Sequence, residues 1–349
     1  MVPVTVIVTP CPTTPIASFS STDSTLCVGD CIDFTDLSTN SPTGWSWYFF
    51  GAATTTSSVQ NPTNICYNSA GSFDVALVAT NASGSDSLFM PNFITVSALP
   101  TVTASNDTAI CIGDTANISV TGTASSYSWD NGLGIGTNFS VTPGVNTTYI
   151  VTGTDANNCV ALDSVIVSIN PLPTVIASND TSICLGDTAN ISASGTATSY
   201  SWDNGLGIGT NFGVTPGVNT TYIVTGTDAN SCVAVDSVIV SVNPLPNVVA
   251  SNDTAICVGD VANLSATGAT NYNWDNGLGA GQNQSPSPIV NTTYIVTGTD
   301  GNGCAGIDSV IVTVNPLPNV VASNDTTICL GDPANLSATG ATNYNWDNG

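Results

Sequence analysis

Apart from hydroxyls, two kinds of side chain in this sequence could do chemistry: the thiols of 11 cysteines and the carboxylates of 24 acidic residues, all of them Asp. The sequence contains no Lys, Arg or His. A site built here therefore has no imidazole base, no amine for a Schiff base and no guanidinium to hold a phosphate. Because the formal charge is −24, the chain is also repelled by nucleic acids and anionic membranes. We therefore predict neither an enzyme nor a nucleic-acid partner.

The cysteines are spaced as disulfide partners rather than as zinc ligands, because no Cys-x-x-Cys pair and no His are present. One segment, Cys-x-Gly-Asp, recurs every 72 or 73 residues with its cysteine at Cys111, Cys184, Cys257 and Cys329. The first three copies are each followed by a second cysteine. This predicts one disulfide within each copy: Cys111–Cys159, Cys184–Cys232 and Cys257–Cys304. Closing a loop of about 50 residues stabilises a small domain by ~4 kcal/mol.

Four further cysteines near the N-terminus admit three pairings, of which we favour Cys31–Cys66 together with Cys11–Cys27. Disulfides form and persist in oxidising compartments, so we predict that the chain is exported to an extracellular location; the resemblance given below implies the cell surface. No run of about 20 apolar residues is present, and we predict no membrane insertion in this segment.

Asp-containing turns are the candidates for catalysis and metal binding. The triplets at Asp107 and Asp114 resemble the Asp-Thr-Gly of aspartic proteases. They recur at turns in several repeats, so we predict no catalytic residue. Asp-x-Asn loops place oxygen ligands close together and are calcium candidates, with Asx turns as the alternative. These candidates are Asp155 with Asn157, Asp228 with Asn230, and Asp300 with Asn302. No other cofactor is expected.

Strand-forming residues dominate the segments that position these groups. Glu, Lys and Arg are absent and Met occurs twice, so strong helix formers are scarce. Apolar and polar residues alternate over 116–120, 148–152 and 165–169, as in half-buried strands. We predict an all-β chain of tandem β-sandwich domains in an elongated rod. The predicted segments are 1–10 (the last strand of a preceding domain, or a linker), 11–98 (first domain), 99–171 (repeat 1), 172–244 (repeat 2), 245–316 (repeat 3) and 317–349 (an incomplete repeat 4).

The first domain contains Trp45-Ser46-Trp47, Asn61-Pro62-Thr63 and Gly71-Ser72-Phe73-Asp74-Val75. Together these segments resemble the polycystic kidney disease (PKD) domain, whose signature combines Trp-x-Phe-Gly-Asp-Gly, an Asn-Pro turn and Gly-x-Tyr-x-Val. Phe50-Gly51-Ala52 stands here in place of the acidic loop of that signature. The resemblance implies a PKD-like β-sandwich.

The units of 72 or 73 residues resemble the Ig-like repeats of large secreted Bacteroidota surface proteins, which are exported by the type IX route and include adhesins and gliding-motility filaments. The resemblance implies a structural component of an extracellular surface filament or giant adhesin, acting as a disulfide-stabilised repeat rod. Two alternatives stay open: an adhesin that binds glycans or surfaces through the PKD-like domain, and a non-catalytic stalk of a secreted hydrolase. The expected partners are further domains of the same chain, or other copies of it.

The same resemblance marks Asp-Ser and Asp-Thr segments as candidates for O-glycosylation. The alternative is that these residues are ordinary exposed turn and strand positions. The candidates are Ser87, Thr108, Thr115, Ser164, Thr188, Ser237, Thr254 and Ser309.

Overall fold

The computed structural model describes Thr5 and residues 13–347. Apart from Thr5, the strand predicted within 1–10 lies outside the described residues, and so does Cys11. The described residues form strands and no helix, so the all-β class is confirmed. Within them, no helical segment exists that could cross a membrane. By internal contacts the chain divides into two units, Met1–Leu172 and Pro173–Gly349.

The first domain has one five-stranded sheet and two short strand pairs. Its strands are β1 (Phe19–Ser21), β2 (Thr25–Cys27), β3 (Cys31–Ile32), β4 (Phe34–Asp36), β5 (Gly44–Phe49), β6 (Thr56–Ser57), β7 (Ile65–Cys66), β8 (Gly71–Asn81) and β9 (Gly84–Ser97). The sheet has the order β2-β9-β8-β5-β6, with β2 parallel to β9, and the pairs are β1-β4 and β3-β7. Phe34 and Ile65 from the two pairs share a buried core with Trp47 from the sheet.

Repeat 1 has a three-stranded and a five-stranded sheet. Its strands are β10 (Val102–Ala104), β11 (Thr108–Cys111), β12 (Ala116–Gly122), β13 (Ser126–Trp129), β14 (Gly134–Ile135), β15 (Asn138–Val141), β16 (Thr147–Thr154) and β17 (Val160–Asn170). The sheets have the orders β10-β12-β15 and β11-β17-β16-β13-β14. Only the β11–β17 pairing in them is parallel. The larger sheet therefore repeats the order found in the first domain.

Repeats 2 and 3 have the same two sheets. The strands of repeat 2 are β18 (Val175–Ala177), β19 (Thr181–Cys184), β20 (Ala189–Gly195), β21 (Ser199–Trp202), β22 (Gly207–Ile208), β23 (Asn211–Val214), β24 (Thr220–Thr227) and β25 (Val233–Asn243). Those of repeat 3 are β26 (Val249–Ala250), β27 (Thr254–Cys257), β28 (Leu264–Thr267), β29 (Asn271–Trp274), β30 (Gly279–Ala280), β31 (Asn283–Gln284), β32 (Thr292–Thr299) and β33 (Ala305–Asn315). Beyond them, β34 (Val321–Ala322) pairs with β35 (Ala338–Thr339).

The core of each repeat is immunoglobulin-like but has no cysteine in it. Trp129 on β13 is 3% exposed, and its indole N–H donates to the Gly136 carbonyl at 3.1 Å. In immunoglobulin domains an inter-sheet disulfide packs against such a Trp, and a Tyr stands two residues before its second Cys. Here Ile118 and Val151 are the buried residues of the facing strands, and Tyr149 stands two residues before Val151. Aliphatic packing therefore replaces the disulfide at the centre of the sandwich.

Candidate functional site at the domain junctions

Cys27 of the first domain, like the first cysteine of each repeat, stands in a turn that the Asp three residues later closes. In the first domain, Cys27 ends β2 and lies opposite Ser97, the last residue of β9. Asp30 Oδ2 accepts the Cys27 N–H at 2.9 Å, and the Asp30 N–H donates to the Cys27 carbonyl at 3.0 Å. Gly29 supplies the positive φ, +97°, that the turn requires. Cys-x-Gly-Asp therefore holds its cysteine at the end of the sandwich where the chain leaves it.

The second cysteine of each repeat stands in the hairpin between the last two strands. In repeat 1, Asp155 Oδ1 accepts the Asn157 N–H at 2.8 Å and the Cys159 N–H at 2.9 Å. The Asp155 N–H donates to the Cys159 carbonyl at 3.0 Å. Beside this hairpin, Gly153 lies against Val102, the first residue of β10, so closely that a Cβ on Gly153 would be 2.4 Å from the valine methyl. The hairpin cysteine therefore lies at the end where the chain enters the repeat.

Disulfides join the turn cysteine of one domain to the hairpin cysteine of the next. Cys27 of the first domain bonds to Cys159 of repeat 1, with Cα atoms 5.5 Å apart. Cys184 of repeat 2 bonds to Cys304 of repeat 3, also with Cα atoms 5.5 Å apart. Both separations lie in the usual range for a disulfide. We call these two bonds the junction staples, because each links neighbouring sandwiches in addition to the peptide linker between them.

The predicted disulfides within the repeats are wrong. Cys111 lies opposite Asn170 at one end of β17, whereas Cys159 immediately precedes Val160 at the other end. At ~3.3 Å a residue these ends are roughly 33 Å apart, far beyond the ~7 Å that a disulfide tolerates between Cα atoms. The same strand separates the members of the predicted pairs Cys184–Cys232 and Cys257–Cys304.

The remaining cysteines divide into bonded and free ones. Pairing of β3 with β7 places Cys31 opposite Cys66, and the predicted disulfide between them is present. The predicted Cys11–Cys27 bond is wrong because Cys27 is taken by Cys159. Two other cysteines, Cys111 and Cys232, are also disulfide-bonded. Cys257 and Cys329 are free and exposed.

A signal for the junction staples was present in the sequence. The Cys-x-Gly-Asp segment occurs five times, because Cys27-Val28-Gly29-Asp30 is its first copy. The hairpin cysteine occurs three times, and the hairpin of the first domain between Asn81 and Gly84 has none. Turn cysteines thus precede hairpin cysteines by one domain. Cys27 lies among the other N-terminal cysteines in the sequence, so this offset is visible only when its Cys-x-Gly-Asp context is compared with the repeats.

Backbone N–H groups take the place of cations as partners for the carboxylates. The Ile166 N–H of repeat 1 donates to Asp107 Oδ1 at 2.8 Å, and the Ala104 N–H donates to Asp163 Oδ2 at 2.8 Å. The second bond ties the three-stranded sheet to the last strand of the five-stranded sheet. The protease-like triplet at Asp107 thus has a structural role, as has Asp114, whose N–H closes the Cys111 turn.

The calcium candidates form Asx turns. Each Asp accepts two backbone N–H groups on its Oδ1, at 2.8 or 2.9 Å, in the pairs Asp155 with Asn157, Asp228 with Asn230, and Asp300 with Asn302. Across residues 13–347, no group of three or more Asp or Cys side chains is placed to hold a metal ion. The hydrogen bonds of these loops account for the Asp and Asn at those positions, and we do not propose calcium there.

The Asp that ties the sheets together has a perturbed pKa. Donation from the Ala177 N–H, and then from the Ser237 N–H, lowers the pKa of Asp236 below its ordinary 3.8. In repeat 3 the N–H groups of Ala250 and Ser309 lower the pKa of Asp308 in the same way. The ionised carboxylate is therefore the form that the folded repeats stabilise.

The O-glycosylation candidates divide by exposure. Six are exposed: Ser87, Thr115, Ser164, Thr188, Ser237 and Ser309. Thr108 and Thr254 are half-buried. Ser164, Ser237 and Ser309 directly follow the Asp residues that tie the two sheets of their repeats together. Modification at these positions stays a prediction.

The first domain exposes an aromatic face that sequence reasoning missed. Tyr48, Phe50 and Phe89 are 43%, 50% and 54% exposed, and the rings of Phe50 and Phe89 meet edge to face at 6.2 Å. Strand register places Ala76 between Tyr48 and Phe89. In repeat 1, on the corresponding strands, the exposed residues Ser128 and Leu162 flank Thr152. The outward positions of β5, which alternate with the buried Trp47 and Phe49, were the available signal.

No protein-family model matches the sequence, and no curated protein is significantly similar to it. Among solved structures, the I-band fragment I67–I69 of titin is similar at 11% identity, over 66% of this chain and 99% of that chain, with a TM-score of 0.35. Sidekick-1 immunoglobulin domains 1–5 are similar at 13% identity, over 86% of this chain and 81% of that chain, with a TM-score of 0.25. A Ca²⁺-stabilised adhesin that helps an Antarctic bacterium bind ice is similar at 15% identity, over 87% of this chain and 100% of that chain, with a TM-score of 0.31. The immunoglobulin-like class of the sandwiches rests on their strand order and cores.

Proposed function

We propose that this chain is a structural component of an extracellular bacterial surface filament or giant adhesin, in which neighbouring sandwich domains are covalently stapled into a stiff spacer. The observation that carries the proposal is the pair of junction staples, Cys27–Cys159 and Cys184–Cys304. Domains joined by a linker alone move relative to one another by default. A second covalent connection beside the linker removes much of that freedom.

The way in which the chain uses its acidic residues supports a structural role. Asp107, Asp155 and Asp163 of repeat 1 all accept backbone N–H groups. The motifs that vary least between repeats are therefore explained by folding and by presentation of cysteines. Disulfides of this kind are also typical of exported proteins. The Bacteroidota origin, the type IX route and the PKD class of the first domain stay predictions from the sequence.

Small-angle scattering tests the spacer function. We expect a chain that carries Cys27→Ser, Cys159→Ser, Cys184→Ser and Cys304→Ser to show a broader distribution of interdomain distances than the wild type. The matched control is Cys31→Ser with Cys66→Ser, which removes a disulfide inside the first domain and leaves both staples intact. A wild-type chain whose scattering already fits freely hinged domains, unchanged by the four substitutions, would contradict the proposal.

Adhesion through the first domain is the second candidate. The observation in its favour is the exposed aromatic face formed by Tyr48, Phe50 and Phe89. Exposed aromatic rings on a soluble protein commonly mark a binding surface. A chain without cations offers no charge attraction to acidic ligands, so neutral glycans are the class that this face suits. Repeat 1 provides matched replacement residues, because the exposed Ser128 and Leu162 flank Thr152 on the corresponding three strands of its larger sheet.

A further inference from the structure

Cys257 of repeat 3 stands in the same local structure as the turn cysteine of the first domain. Its N–H donates to Asp260 Oδ2 at 3.2 Å, and the Asp260 N–H donates to the Cys257 carbonyl at 3.0 Å. Cys257 lies opposite Asn315, the last residue of β33, as Cys27 lies opposite Ser97. The turn therefore presents Cys257 at the end where the chain leaves repeat 3.

The bonding state of Cys257 differs from that of its equivalents. Cys27 and Cys184 are each bonded to the hairpin cysteine of the next domain along the chain. The Cys257 thiol is free and exposed. The hairpin cysteine of its own repeat, Cys304, is taken by Cys184. Cys257 is thus placed like the turn cysteines of the junction staples, but it has no hairpin cysteine as a partner among the described residues.

We propose that Cys257 is a cross-linking site for the hairpin cysteine of a sandwich domain that follows repeat 3. The inference rests on the stapling function proposed above and extends it to the next junction. The two thiols lose two protons and two electrons as the S–S bond forms. A disulfide oxidant of the exporting compartment accepts them and is reduced to two thiols.

Cys329 is the alternative disulfide partner for Cys257, because it stands in a similar turn and its thiol is also free. The Asp332 N–H donates to the Cys329 carbonyl at 3.0 Å. Both junction staples, however, combine a turn cysteine with a hairpin cysteine. In a complete repeat these two cysteines lie roughly 33 Å apart, at opposite ends of the last strand. The hairpin end faces the preceding domain, so a hairpin cysteine is placed to reach Cys257.

An extended chain tests this inference. Residues 346–349 repeat residues 274–277, so a copy of residues 278–316 added after Gly349 continues the repeat pattern. The extension contains one cysteine, a copy of Cys304. The protein is expressed in an oxidising compartment and its free thiols are alkylated. It is then digested with pepsin without reduction, and the disulfide-linked peptides are identified by mass spectrometry. The matched control carries Ser in place of the copied Cys304.

We expect alkylation of Cys257 to fall at least about tenfold in the extended chain, with a cross-linked peptide joining Cys257 to the copied cysteine. In the Ser control, Cys257 stays alkylated. Hydrogen exchange of the copied hairpin strands reports whether the extension folds. A second variant, with a whole copy of repeat 2 after residue 316, gives the same readout with a complete domain.

A folded added domain with Cys257 still alkylated, or bonded to Cys329, would overturn the inference. The same digest reports Cys27–Cys159 and Cys184–Cys304. Loss of those two peptides would instead contradict the stapling function itself. The two failures are therefore distinguishable in one experiment.

Discussion

Mechanical extension of single chains is the sharpest test of the disulfide connectivity. When the chain is pulled from its termini, residues enclosed by a disulfide cannot extend. The Cys184–Cys304 staple encloses 120 residues, and Cys27–Cys159 encloses 132. In a background that carries Cys111→Ser and Cys232→Ser, so that these bonded cysteines offer no shorter covalent path, loss of the Cys184–Cys304 staple through Cys184→Ser with Cys304→Ser adds roughly 420 Å to the fully extended length, at up to ~3.5 Å a residue.

Two control variants separate this connectivity from pairing within the repeats. Cys257→Ser leaves the extended length unchanged, because that thiol is free. Pairing of Cys257 with Cys304 would instead enclose about 47 residues, and the same substitution would then add roughly 160 Å. Cys31→Ser with Cys66→Ser also leaves the length unchanged, because that disulfide lies inside the loop closed by Cys27 and Cys159. Lengthening in either control would refute the connectivity.

Two further predictions concern the sheet-tying carboxylate and the aromatic face. Asp236→Ala leaves the buried Ala177 N–H without the carboxylate that accepts it at 2.8 Å. We expect a loss of about 1–2 kcal/mol in the free energy of unfolding, so that hydrogen exchange of the Ala177 amide accelerates roughly 5- to 30-fold. The exchange rate of Asp236→Asn should lie between those of Asp236→Ala and the wild type. Because the pKa of Asp236 is lowered from 3.8, the stability that its carboxylate contributes is present above about pH 3.8 and is lost as the pH falls through the folded-state pKa. A difference in stability between wild type and Asp236→Ala that persists in strong acid would contradict this role of Asp236. Tyr48→Ser with Phe89→Leu should weaken any binding of the chain to cellulose or laminarin by roughly 5- to 150-fold, since two aromatic contacts at about 0.5–1.5 kcal/mol each sum to about 1–3 kcal/mol. Binding that survives this change would place the glycan site elsewhere.

Local patterns in the sequence were sufficient to predict several of the strands. Alternation over 116–120, 148–152 and 165–169 predicts segments within β12, β16 and β17. Side chains on a strand alternate between its two faces, so burial can be inferred from neighbouring residues alone. The disulfide between Cys31 and Cys66 could also be predicted from the sequence, because both cysteines lie in the same domain.

Only the tertiary structure decided the partners of the other cysteines and the roles of the Asp residues. Cys27 and Cys159 are 132 residues apart in the sequence, and their contact depends on which end of each sandwich a strand reaches. The parallel pairing of β11 with β17 places Cys111 at the exit end of repeat 1, and the β16–β17 hairpin places Cys159 at its entry end. Composition and spacing permit either connectivity, because a disulfide needs Cα atoms within ~7 Å and sequence separation does not measure that distance.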